Sequence, residues 1–297
     1  MHTSALLNET IKYLNPESGD KFIDATFGFG GHSSELLKHI EPDGKILAFE
    51  WDPVLFKAMK EELSMKKTTK KIVLKNKNFK HIKKISIDEG FTNVKGVMFD
   101  LGVSTWHYKN SGRGFGFGKD EPLDMRINPD DIKMTAFEVV NYFSEKELTE
   151  VFRTYGEERQ SSQIAQEIVK RRKIKKIETS EDLSEIIVSS KRTRGRSRKN
   201  PATKIFMALR TFINGELENL QQGLKDSYNL IQPGGRIVIL SFQGLEDVII
   251  KKVFKELKKS GANVLTKNVV RPAFSEMKAN PSSRSAKLRA LMKPLNE

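Results

Sequence analysis

Three acids and one glycine turn carry most of the chemistry this sequence offers. Residues 24–33 read DATFGFGGHS: Asp24 stands four positions ahead of Gly28, and Gly28, Gly30 and Gly31 crowd together directly behind the apolar run KFIDAT. Two more acids close apolar runs, Glu50 at the end of KILAFE (45–50) and Asp100 within KGVMFDLG (95–102). Glycines behind a strand let the backbone come very close to a ligand. A phosphate loop closes on Gly-Lys-Ser/Thr, and this turn has no lysine. A nicotinamide site wants G-x-G-x-x-G. Gly28 to Ser33 nearly fits that pattern, and Glu50 supplies the acid expected about 20 positions further on.

The sign of the charge favours a different nucleoside. Asp24 is unhelpful beside a pyrophosphate and attractive beside the ammonium and sulfonium of S-adenosylmethionine. Asp100 points the same way, because hydride transfer has no general need of an acid there, whereas methylating an exocyclic amine does. Glu50 suits either ligand, since one carboxylate can hold both ribose hydroxyls. The plainest alternative is a tight turn with no ligand, which the acid closing the next strand disfavours. His2 and His32 have no companions at ligand spacing, so no metal is expected.

These residues need strands to present them. KFIDAT, KILAFE, KIVLKN and KGVMFDLG read as strands separated by amphipathic helices such as HSSELLKHI and PVLFKAMKEEL, the latter with proline in its first turn. That alternation predicts βαβ units and a parallel sheet. The rhythm stops near Thr105. The loop NSGRGFGFGKDEP and a series of helix-like stretches follow, until the helical IFMALRTFINGELENLQQGLKDSYNLI leads back to a strand, RIVILSF (236–242). NVLTKNVV and KLRALMK are expected to form a terminal antiparallel pair. The reading is an α/β domain of residues 1–104 and 205–297, with an all-helical insertion at 105–204.

A chain of 297 residues with 37% hydrophobic residues can build such a core. It has no cysteine, which excludes disulfides, thiolate metal sites and cysteine nucleophiles. No apolar run reaches the ~20 residues of a membrane span, and MHTSALLNETIKYLN lacks the features of a secretory signal. A cytoplasmic protein without a membrane partner is expected. The net charge of +14 suggests a polyanionic partner. Two runs concentrate it. KRRKIKK (170–176) lies on a helix-like stretch and suits a solvated face. KRTRGRSRK (191–199), with its glycine and four arginines, suits a loop gripping phosphates.

Taken in order, the motifs resemble one family along nearly the whole chain, the bacterial small-subunit rRNA cytosine-N4-methyltransferases of the MraW/RsmH type. They are HTSALLNE (2–9), DATFGFGGHS, DLGVS (100–104), RGFGF and PLDMR (113–126), YGEER (155–159), NPATKIFMALR (200–210), QPGGRIVILSF (232–242), LED (245–247) and NPSSRSAKLR (280–289). The resemblance implies a class I S-adenosylmethionine-dependent methyltransferase, Rossmann-like, with a mostly parallel sheet, an antiparallel terminal strand and a helical insertion that recognises substrate. It implies a cytosine in the decoding region of small-subunit (16S) rRNA as target, and free rRNA or the small ribosomal subunit as partner. It places cofactor contacts at Gly30, Gly31 and His32, Glu50 on the ribose, Phe79 beside the adenine, and Asp100 with His107 closing the site.

The sequence departs from the family at Phe242-Gln243-Gly244, where the family reads Phe-His-Ser, at Asn200, where it has His, and at Thr105-Trp106-His107 in place of Ser-Pro-Gln. A divergent paralogue acting on another RNA site, or an RNA-binding member without turnover, is the alternative these changes leave. For N4 methylation, Asp100 is the expected acceptor of the amino hydrogens. Trp106, His107 and Tyr108 either stack on a splayed base or simply pack. Arg113 and Arg126 either grip phosphate or join Asp124, Glu157, Glu158 and Arg159 in an ion-paired scaffold. Lys191, Arg192, Arg194, Arg196, Arg198 and Lys199 are expected on the RNA backbone, with Asn200 and Gln243 on the substrate side. The oligomeric state, monomer or homodimer, is left open.

Overall fold

The computed structural model describes residues 4–66, 68–191 and 200–295. The chain forms two compact units, Met1–Gly102 with Leu217–Glu297, and Val103–Glu216. The first unit is built on seven strands, β1 (Lys21–Asp24), β2 (Lys45–Phe49), β3 (Ile72–Lys75), β4 (Val94–Asp100), β5 (Ile231–Ser241), β6 (Asn263–Val264) and β7 (Lys287–Met292). Its helices are α1 (Leu7–Leu14), α2 (Gly31–Ile40), α3 (Pro53–Met65) and α4 (Ile82–Asp88). The second unit holds α5 (Thr105–Asn110), α6 (Ala136–Tyr142), α7 (Glu145–Gly156), α8 (Ser161–Arg172), α9 (Ser180–Ser190) and α10 (Thr203–Ile213). The chain then returns to the first unit through α11 (Glu216–Leu230), α12 (Gly244–Lys259) and α13 (Phe274–Ala279).

The sheet order is β3-β2-β1-β4-β5-β7-β6. Strands β1 to β5 pair in parallel, β7 runs antiparallel to β5, and β6 pairs antiparallel with β7. This is a Rossmann-like, mostly parallel arrangement, with the expected terminal antiparallel pair. Alternate residues feed two cores. Ile23, Leu47, Val97, Phe99 and Ile239 pack toward α4, α11 and α12, while Phe22, Ala48, Met98 and Val238 pack toward α1, α2 and α3. Burial on both faces explains why the parallel strands read as continuous apolar runs. β5 starts before the predicted strand and takes in the QPGG turn as an irregularity, its register to β4 jumping between Ile231 and Arg236.

The helical unit packs its own core around Val139, Phe152, Ile164, Leu183 and Leu209. Three of its helices open on reciprocal capping boxes, Thr135 with Glu138, Ser144 with Glu147 and Thr179 with Asp182. Its limits differ from the expected 105–204. The predicted helix IFMALRTFINGELENLQQGLKDSYNLI breaks at Asn214-Gly215, where Gly215 takes φ +57°. Ile205, Phe206, Ala208, Leu209 and Ile213 bury themselves among the helices, so α10 belongs to the insertion. Among the described residues no helix is long and apolar enough to cross a membrane.

Candidate active site

Parallel sheets bind ligands where the strand order reverses, at the carboxyl ends of the strands. Here that point lies between β1 and β4, which are neighbours although β2 and β3 intervene in the chain. Asp24 ends β1, Asp100 ends β4, and Glu50 follows β2 on the other side of β1. The Asp100 amide donates to Thr26 Oγ1 at 2.6 Å, tying the two strand ends together.

The glycine turn wraps these acids. Gly28 takes φ +53° with open space where a Cβ would stand, and its N–H donates to Glu50 Oε2 at 3.0 Å. Gly30, at φ +70°, caps α2, and a Cβ there would meet Phe27 Cζ at 2.6 Å. At Gly31 a Cβ would fall 2.2 Å from Ser4 Oγ, so the N-terminal segment closes over the start of α2. Glu50 Oε1 accepts from the Asp52 amide at 2.8 Å, and Asn76 Nδ2 donates to the Glu50 carbonyl at 2.9 Å. Asp24 accepts from Ser33 Oγ at 2.6 Å and from the Thr26 amide at 3.0 Å.

All three carboxyls hold their protons more tightly than usual. Burial pushes Glu50 up to about 8 against its backbone donors, and the neighbouring Asp52 and Asp24 charges add to the rise. Burial likewise takes Asp100 to about 7. Asp24 is raised by burial, although Ser33, Thr26 and His32 oppose the rise. His32 is held neutral by burial. Its Nε2 lies 3.0 Å from the Ala5 carbonyl, which can only accept, so Nε2 carries the hydrogen and Nδ1 faces Asp100 Oδ2 at 3.6 Å.

This donor set fits a cationic nucleoside. Among the described residues, no Lys or Arg pairs with Asp24, Glu50 or Asp100. Asp100 Oδ1 is buried with no hydrogen-bond partner among them, and open space lies at Gly28 and Gly102. Buried Asp24 and Glu50 and half-buried Asp100, with no cationic partner among the described residues, suit positive charge and hydroxyl donors. Phe79 is fixed between Gly223, where a Cβ would stand 2.8 Å from its Cδ2, and Phe99, met edge-on at 5.4 Å. Gln243 precedes α12, and its amide and that of Phe242 donate to buried Glu246.

The helical unit revises several expectations. His107 is buried on α5, bonded to Ser104 and meeting Trp106 and Phe115 edge-on, so it is a packing residue rather than a stacking platform. Tyr108 keeps an exposed ring, and its hydroxyl accepts from Arg210. Arg113 donates to the carbonyls of Arg126 and Ile127 at 2.8 Å. Arg126 forms a two-pronged pair with Asp124, both bonds at 2.7 Å. Both arginines brace their own loop. Lys191 is engaged too: its ammonium donates at 2.6 Å to Glu158 and to the Pro201 carbonyl. Asn200 uses its side-chain oxygen to accept from the Ala202 amide, shaping the entry to α10. Arg192, Arg194, Arg196, Arg198, Lys199 and His2 lie outside the described residues.

Thr26, Ser33, Asn76 and Ala5 support the site and were not singled out from sequence. Thr26 and Ser33 flank the glycines in the quoted motif and were the signal available. Asn76 and the Ala5 carbonyl act through space and leave no sequence pattern.

Residues 1–294 match the model of the MraW methylase family. A protein of Carboxydothermus hydrogenoformans named ribosomal RNA small subunit methyltransferase H is 38% identical, over 98% of this chain and 97% of its own. Proteins of the same name from Ehrlichia chaffeensis and Endomicrobium trichonymphae are 39% identical (over 99% of this chain and 100% of theirs) and 42% identical (over 98% of each).

Proposed function

Because the chain belongs to the MraW methylase family, we propose that it methylates the exocyclic N4 of a cytosine in the decoding region of small-subunit rRNA. It is an S-adenosylmethionine-dependent rRNA methyltransferase, and its full-length likeness to enzymes of that name supports this reading over a non-catalytic RNA binder. S-adenosylmethionine supplies an electrophilic methyl group on a sulfonium.

The chain's residues do the rest by position and charge. Glu50 takes the ribose hydroxyls, and the Gly28 N–H at 3.0 Å keeps its carboxylate turned to the turn. Asp24, held by Ser33 and Thr26, faces the cationic methionine end. Phe79 lies beside the adenine. The single observation that carries the reaction is the buried, unpartnered Oδ1 of Asp100 at the end of β4. The N4 lone pair of cytosine is conjugated with its ring and a poor nucleophile. Ionised Asp100 would accept a hydrogen bond from the amino group, localise that pair, and take the proton that N4 must lose on gaining the methyl group. The helical unit recognises substrate, and the reaction belongs in the cytoplasm.

The test is transfer to small ribosomal subunits from a strain lacking this protein, followed by mass mapping of rRNA nucleosides. N4-methylcytidine at one decoding-region position is expected. A methyl on a different atom or nucleotide, or none, overturns the assignment.

A further inference from the structure

The basic run 170–176 has a different organisation from a solvated helix face. Arg172 donates to the carbonyls of Val140 and Phe143, clamping the end of α8 to the end of α6. Arg171 pairs with Glu167 one turn back. The four lysines of the run, Lys170, Lys173, Lys175 and Lys176, are exposed, and among the described residues none has a carboxylate partner. The clamp brings Tyr142, the last residue of α6, beside this group: Lys176 Nζ sits 4.3 Å from the centre of its ring. Phe137 meets Tyr142 at 6.0 Å and 80°, yet the tyrosine stays 62% exposed. Ile174, in the middle of the run, is 81% exposed.

An aromatic ring and an isoleucine held in water among four lysines without carboxylate partners fit one partner chemistry well. A single-stranded nucleic acid offers phosphates for the ammonium groups and base faces for the ring, and stacking of this kind tolerates any base. An acidic protein segment would use the charge but leave the exposed ring without a matching surface. We propose that Tyr142, Ile174 and these four lysines form a docking platform for a single-stranded segment of the rRNA, with one unstacked base lying on Tyr142. The proposal rests on the RNA substrate assigned above. It adds a contact surface on the helical unit formed by α6 and α8.

Fluorescence anisotropy with a labelled single-stranded RNA 20-mer, titrated at several salt concentrations, tests it on the full chain. Tyr142→Ala should weaken binding about 5- to 100-fold, and Tyr142→Phe should retain it. Replacing the four lysines by glutamine should flatten the dependence of log affinity on log salt by about 3, at roughly 0.7 per phosphate lost on a single strand. S-adenosylmethionine affinity, measured by calorimetry, and helix content, measured by circular dichroism, should not move in any variant, which shows that both units remain folded. Wild-type RNA affinity and salt slope in the alanine and glutamine variants overturn the platform. So does loss of binding to anionic phosphatidylglycerol vesicles with RNA binding intact. If the wild-type chain binds this RNA through Tyr142 but methylates no rRNA, the functional assignment fails and the platform stands.

Discussion

His32 Nδ1 and Asp100 Oδ2 face each other across 3.6 Å, beyond hydrogen-bond distance, with the histidine's other nitrogen committed to the Ala5 carbonyl. Neutral His32 therefore presents a lone pair to Asp100. That arrangement suits a protonated Asp100 and opposes an ionised one, in the same direction as burial, which takes this acid to about 7. The site is thus poised between two protonation states until a cation joins it.

Ionised Asp100 can accept from the amino group and also take its proton, whereas protonated Asp100 keeps an acceptor oxygen but cannot act as the base. Methyl transfer should rise with pH through the ionisation of Asp100, on a limb that begins below 7 in the loaded enzyme, because the sulfonium favours the carboxylate. Asp100→Asn should lower kcat by about 10²- to 10⁴-fold and remove the limb, with RNA affinity unchanged. Single-turnover rates between pH 5 and 9 measure both. A limb that survives in Asp100→Asn would assign the ionisation to another group.

Cofactor binding should release protons. With Glu50 near 8 and Asp100 near 7, part of each is protonated at pH 7, and a cationic ligand favours the ionised forms. S-adenosylmethionine affinity should increase from pH 6 to pH 8. Calorimetry at pH 7 in phosphate and in Tris should give different apparent enthalpies, the difference reporting the protons released. Glu50→Gln should weaken binding and reduce that difference.

The acids were legible because each closes an apolar run, where a charge is costly unless it is used. The glycine turn was legible from spacing alone. Positive charge proved harder to read: Arg113, Arg126 and Lys191 have the residue types of a phosphate grip, and only the folded loops show carbonyls and carboxylates already against them. The join of α10 to α11 was hidden because helical periodicity continues on both sides of Gly215. The fold decided there which apolar face met which core.

The same raised carboxyls set the stability of the unliganded protein. The folded state keeps protons on Glu50 and Asp100 to about 8 and about 7. The unfolded chain loses them near the ordinary values of 4.5 and 3.8. Between those limits the folded state binds more protons, so stability is fully present below the ordinary values and is lost as pH rises through about 7 and 8. The melting temperature without ligand should fall from pH 5 to pH 8.5. Asp100→Asn and Glu50→Gln should each flatten that slope, as scanning calorimetry across pH would show.

Gly30 should tolerate no side chain. Its φ of +70° strains any other residue, and the added Cβ would lie 2.6 Å from Phe27 Cζ, a ring buried in the core beside β1. Gly30→Ala should cost about 1–3 kcal/mol and abolish cofactor binding by shifting the turn. Gly31→Ala should be milder in stability, because the clashing atom is the rotatable hydroxyl of Ser4. Urea unfolding of the two variants gives the comparison, and equal costs would remove Phe27 as the reason.

Lys191 separates scaffold from RNA grip. Glu158 lies below the ordinary carboxylate range: burial works to raise it, and the Gln160 amide and Lys191 ammonium outweigh that. A lowered acid stabilises the fold above its ordinary value of 4.5 and loses that contribution as pH falls through its folded value. Removing one partner of a buried pair costs roughly 3–5 kcal/mol, and Lys191→Gln should lie at the lower end, since its side chain keeps 10% exposure. Pairing it with Glu158→Gln should cost less than the two single changes together, because the double variant leaves no unpaired buried charge. The folded fraction of Lys191→Gln should bind RNA with the wild-type salt slope. A slope reduced by about 0.7 with stability intact would instead put this ammonium on a phosphate.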